Sequence, residues 1–133
     1  DIAMCIIDYE TKTLEFAGAY NPLIYIQDGQ IHVIKGDRKS IGGMQLENKR
    51  TFTTHYISFE QPTTFYIFSD GYADQFGGKK GRKFMIRRFR ELLLDIHKKP
   101  MQQQKEILVN AHEDWKGKKN HQTDDVLVIG FRL

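Results

Sequence analysis

Two short acidic motifs stand where apolar runs give way to polar loops. Ser69-Asp70-Gly71 follows Thr64-Phe65-Tyr66-Ile67-Phe68, and Thr123-Asp124-Asp125 precedes Val126-Leu127-Val128-Ile129. Both apolar runs are β-branched, aliphatic or aromatic throughout, the pattern of central strands covered on two faces. If the two strands are antiparallel neighbours, the end of the first lies beside the start of the second, and Asp70 and Asp124 meet at one rim of the sheet. Two carboxylates held together repel, and a divalent cation relieves that repulsion. Mg²⁺ and Mn²⁺ favour carboxylate and water oxygens, so such a site needs no cysteine or histidine cluster. Each motif alone also fits a plain turn, since Asp-Gly starts turns for conformational reasons. Their pairing at two strand ends is what points to a metal.

Other candidates carry less. The histidines, His32, His55, His97, His112 and His121, are scattered with no metal-ligand spacing on one helix, which fits surface or packing roles. Only His121 lies near Asp124 in sequence. Asp8 and Asp37 sit in turn-like contexts and read as turn formers. Gly77-Gly78-Lys79-Lys80-Gly81 lacks the spacing and the Ser or Thr of a nucleotide-binding loop. The net charge of +3 is concentrated between Lys79 and Lys99, where nine Lys and Arg face only Glu91 and Asp95. Without aromatic stacking platforms or a recognition motif this reads as a solvated helix face rather than a surface for nucleic-acid or phosphoprotein docking.

The 133 residues, 40% of them hydrophobic, are enough for one domain that buries roughly two thirds of its unfolded surface. The single cysteine, Cys5, lies in the apolar run Ile2–Ile7 as a core thiol, and a reducing cytoplasm fits. No apolar run reaches the roughly 18 residues of a membrane span, so no membrane contact is expected of this chain. It enters a strand directly after Asp1 and reads as part of something longer.

The elements that must hold the acidic motifs follow from periodicity. Strands are expected at Ile2–Tyr9, Leu14–Ala19, Leu23–Gln27 and Gln30–Lys35, with Asp28-Gly29 as a type I′ hairpin turn. A glycine-punctuated loop spans Gly36–Asn48, a further strand Phe52–Phe59, and the strand ending at Ser69 follows. After Gly78 the period becomes helical. One amphipathic helix is expected over Lys83–Lys98, and a second from Pro100 or Met101 to Lys116, with inner stripe Met101, Ile107, Leu108, Ala111 and Trp115 and Gly117 as its C-terminal cap. An α+β fold follows: mainly antiparallel sheet layers with helices packed on one face.

The blocks LEFAGAYNPL, IKGDRKSIGG, FYIFSDGYADQFGG and QTDDVLVIGFRL, in this order, resemble the stage II sporulation protein E-like (SpoIIE-like) branch of the bacterial metal-dependent phosphatases of type 2C. The resemblance spans nearly the whole chain and implies part of an α-β-β-α sandwich. It implies that Asp70 and Asp124 bind catalytic Mn²⁺ or Mg²⁺, with Ser69, Gly71, Asp74 and Asp125 beside them or binding more weakly. The implied reaction has no protein nucleophile: water held by two cations attacks a serine or threonine phosphate of a regulatory phosphoprotein. Members of the family also carry a Gly-Asp-x-x-Asp block and an Asp-x-x-Gly-His-Gly block upstream of the region matching Asp1, which bridge the metals. Neither occurs here, and Leu127 replaces a common Thr. Residues 1–133 thus read as the carboxy-terminal portion of a phosphatase domain, with half its metal site and no activity when excised. The implied setting is bacterial signalling in the cytoplasm, with a membrane or sensor domain allowed in the parent protein. A truncated sheet edge would favour self-association. The rival is a non-catalytic docking module on the same fold, acting through the basic helix.

Overall fold

Alternating apolar residues in the first two strands produce the first sheet. In the computed structural model, which describes residues 1–43 and 49–133, β1 (Ile2–Asp8) pairs antiparallel with β2 (Thr13–Ala19). Asp8 closes the connection as a turn former, its carboxylate accepting the Glu10 and Thr11 amides. The next hairpin, β3 (Leu23–Gln27) and β4 (Gln30–Ile34), turns at Asp28-Gly29, with φ of 51° and 70° as a type I′ turn needs. Then β5 (His55–Ser58) joins β2, completing the order β1-β2-β5. Finally β6 (Thr63–Phe68) lies between β3 and the last long strand, giving a second antiparallel sheet.

The two sheets stack. Leu14, Phe16, Ile57 and Phe59 from the first meet Leu23 and Phe65 from the second in one buried cluster. Cys5 lies half-buried against this cluster, and burial pushes its thiol up to about 11, which keeps it protonated. The opposite face of the second sheet contributes Ile24, Ile26, Tyr66 and Phe68 to a second core closed by helices. This is the expected α+β arrangement of antiparallel layers with helices on one face. The outer face of the first sheet exposes Ile2, Met4, Ile6 and Tyr56.

Several boundaries differ from the sequence reading, each for a local reason. After the four-residue α1 (Gly71–Asp74), Phe76–Gly77 (β7) and Arg82–Lys83 (β8) pair as a small hairpin. Lys83 is therefore strand, Met85 takes φ 77°, and the next helix, α2, covers only Ile86–Ile96. The second long helix, α3, occupies Met101–Lys116 as expected, and Gly117 caps it with φ 63° and a bond to Glu113 O. Its buried stripe is Gln104, Leu108 and His112, where apolar Met101, Ile107, Ala111 and Trp115 were expected to lead. Gln104 can be buried because its amide meets the Tyr66 hydroxyl at 2.7 Å and the His97 and Lys99 carbonyls. The strand expected at Phe52–Phe59 shortens because Asp37 accepts the Thr53 amide and hydroxyl, making it a long-range clamp as well as a loop residue. The last strand, β9, runs Val128–Arg132 rather than starting at Val126, and among the described residues it is an edge, with Leu127 and Ile129 exposed. Residues 44–48 of the Gly36–Asn48 loop lie outside the described residues.

Two stability measurements follow. Phe65→Ala is expected to cost about 3–5 kcal/mol in urea unfolding, whereas Tyr56→Ser on the exposed face should stay within about 0.5 kcal/mol. Burial holds the His112 imidazole below its ordinary value, with Lys116 acting in the same direction and the Glu113 carboxylate opposing. The unfolded chain therefore takes up this proton first as pH falls below about 6.5. Stability present above that pH is lost on acidification, and the thermal midpoint between pH 7 and 5 should slope less in His112→Leu.

Candidate functional site

The β6–β9 ladder pairs Phe68 with Val128, and it continues past the last regular pair. Ser69 N donates to Leu127 O at 3.0 Å. The Ser69 hydroxyl then donates to Asp125 O and accepts from the Leu127 amide, both at 3.0 Å. One side chain thus stitches on the segment that the ladder no longer holds. Counting on in this register sets position 71 opposite position 125. A Cβ at Gly71 would lie 2.3 Å from Asp125 O and 3.4 Å from Asp124 C, so only glycine lets the two backbones come this close.

The structure therefore brings the two acidic motifs together at one rim. Asp70 and Asp124 are both exposed. The Asp125 amide donates to Asp124 Oδ1 at 2.7 Å, which orients that carboxylate and leaves its second oxygen available. The Asp70 side chain makes no hydrogen bond or ion pair among the described residues. Asp125 acts through its backbone, with its amide on Asp124 and its carbonyl on Ser69. Asp70 is the N-cap residue of α1 without a side-chain cap bond, and Asp74, in the same turn, pairs with Lys83 at 3.1 Å, tying α1 to β8. His121 is exposed, and it is its carbonyl that is engaged. Among the described residues no three His, Cys, Asp or Glu side chains converge as a ligand set.

Gln75 was not singled out from the sequence, yet it holds the loop that carries Asp124. It is fully buried. Its Nε2 donates to His121 O at 2.8 Å, and its Oε1 accepts the Thr123 amide at 3.2 Å. Its backbone carbonyl accepts both Trp115 Nε1 and the Phe84 amide. One residue thus joins α1, the β7–β8 hairpin, the end of α3 and the approach to Asp124. A glutamine between α1 and a glycine-rich hairpin gives no periodic signal, so only the tertiary contacts reveal it.

Antiparallel sheet layers with helices over one sheet match the α+β fold of PP2C-type domains. The family model for stage II sporulation protein E (SpoIIE) matches residues 1–133, and the chain belongs to this family, which is of phosphatase type. The SiaA-PP2C domain of Pseudomonas aeruginosa is similar at 32% identity, with a TM-score of 0.83 over 95% of this chain and 48% of that one. The phosphatase domain of the cell fate determinant SpoIIE from Bacillus subtilis shares the fold, with a TM-score of 0.69, 12% identity, and coverage of 98% of this chain and 57% of that one. The chain spans about half the length of these solved domains. No curated protein gives a match. PP2C-type phosphatases are generally metal-dependent.

Replacing Gln75 by Leu removes a buried hub and leaves His121 O and the Thr123 amide unpaired. A loss of about 2–3 kcal/mol in unfolding free energy is expected, together with faster amide exchange at Thr123 than at core positions of β6.

Proposed function

We propose that this chain supplies one part of the metal site of a Mn²⁺- or Mg²⁺-dependent serine/threonine protein phosphatase that acts on a regulatory phosphoprotein. The observation that carries the reading is the Asp70 carboxylate, exposed and without a partner among the described residues, at the same rim as Asp124. Exposed carboxylates suit a hard cation by donor type. Asp70 and Asp124 would hold it, with Ser69 and Gly71 setting the spacing and the Asp125 amide orienting Asp124. A bound cation pair supplies a nucleophilic hydroxide near neutral pH and stabilises charge on the phosphoryl oxygens. Two carboxylates leave most of an octahedral shell to water or to other residues. On this reading the 133-residue chain binds Mn²⁺ weakly and does not turn over phosphoesters alone.

The test is hydrolysis of a phosphothreonine peptide with Mn²⁺ by a polypeptide as long as the solved relatives and containing this segment. Asp70→Asn and Asp124→Asn should each lower turnover by at least about 100-fold, beyond the usual cost of losing an outer-shell partner, with unchanged circular dichroism. Undiminished turnover in Asp70→Asn would remove that residue from the site. Turnover by the 133-residue chain alone would show that it needs no further ligands.

A further inference from the structure

The basic residues between Lys79 and Lys99 do not form one helix face. The β7–β8 hairpin sets Lys79, Lys80 and Arg82 against the far end of α3, where Arg88 of α2 also lies over the Trp115 ring at 4.7 Å. The anchor is short-range and specific. Gly78 N donates to Trp115 O at 2.8 Å, and Trp115 Nε1 also reaches Arg82 O at 3.2 Å. A Cβ on Gly77 would lie 1.8 Å from Trp115 O, so the hairpin packs flush on the helix end. The chain leaving α3 there adds Lys118 and Lys119, so two segments distant in sequence build one cationic shoulder.

Its charges are not neutralised. Lys83 and Lys116 pair with Asp74 and Glu113, but Lys79, Lys80, Arg82, Lys118 and Lys119, all exposed, make no ion pair among the described residues. Gln75 joins the root of this shoulder to the loop entering Asp124 through His121 and Thr123. Five unpaired cations therefore flank a rim whose own charges, Asp70, Asp124 and Asp125, are negative. That rim repels an anionic partner, and a cationic surface joined to it through Gln75 offsets the repulsion.

We propose that the β7–β8 hairpin tip and the Lys118-Lys119 loop form a docking surface for an acidic stretch of polypeptide next to the phosphorylated residue of the substrate. This rests on the phosphatase reading above for its choice of partner. Charge complementarity selects an Asp- or Glu-rich flank and acts chiefly on encounter and affinity. Lys98 and Lys99 fall outside the surface, because they precede the other end of α3, about 22 Å away along a 16-residue helix.

The test uses the 133-residue chain and fluorescence anisotropy with labelled phosphothreonine peptides bearing Asp/Glu or Ala flanks. The acidic peptide should bind on the order of tenfold tighter than the neutral one, and the preference should fade between 50 and 300 mM salt, as expected of exposed charges. Lys79→Glu with Lys80→Glu, or Lys118→Glu with Lys119→Glu, should abolish the preference, and the Gln pairs should weaken it. Lys98→Glu with Lys99→Glu, which changes net charge equally, should leave it intact. Equal affinity for both peptides, or equal loss in the Lys98/Lys99 control, would overturn the proposal. Lysine-dependent binding to phosphatidylserine vesicles with no peptide preference would overturn it in favour of a lipid surface. Asp70→Asn should keep the flank preference, so failure of the phosphatase reading and failure of docking give different results.

Discussion

Strand β6 is shared by both hydrophobic cores: Phe65 is buried against the first sheet, while Tyr66 and Phe68 are buried under the helices. It is also hydrogen-bonded on both edges, to β3 and β9. A strand constrained on four sides cannot slip, because a shift by one residue would exchange the two faces and put each core's side chains into the other. The register that this imposes runs on through Ser69 to Gly71, and it decides where Asp70 falls relative to Asp124. The acidic rim is thus placed by the most deeply buried element of the chain.

The loops at that rim are ordered by polar groups taken out of water. Gln75 and Gln104 are both buried, and each satisfies backbone groups from other segments: His121 and Thr123 in one case, His97 and Lys99 in the other. An amide buried without partners would cost several kcal/mol, so these side chains tolerate few alternative arrangements of the loops around them. Ser69 does the same at the end of the ladder with one hydroxyl. At the rim itself Gln75 and Ser69 act in this way, whereas Gln104 fixes the α2–α3 connection at the opposite end of β6.

Charge is distributed with the same economy of contact. The rim carries carboxylates, the hairpin and the end of α3 carry cations, and Asp74–Lys83 joins the two where α1 meets β8. That pair is about two-fifths exposed and contributes under about 1 kcal/mol. Its effect is to hold the hairpin root, while the lysines at the tip remain unpaired.

The sequence by itself determined the family, the antiparallel hairpins and the place of each acidic motif beside an apolar run, while their meeting depended on β6 and β9 becoming neighbours in the assembled sheet. Alternation sets which face of a strand is buried, and Asp28-Gly29 sets a turn, so these features are local and legible. The rise of α3 at Met101 and its end at Gly117 were legible for the same reason. Only tertiary structure decided the rest. The helix expected from Lys83 begins at Ile86 because Arg82–Lys83 pair with Phe76–Gly77, a two-residue ladder too short to show a period. The buried stripe of α3 includes Gln104 and His112 because partners distant in sequence make their burial tolerable, and β9 is an edge because strand order is a property of the assembled sheet. The cationic shoulder was invisible as a unit for the same physical reason: the segments carrying Lys79 and Lys118 are brought to one helix end only when Gly78 docks on Trp115, and such a contact leaves no pattern along the chain.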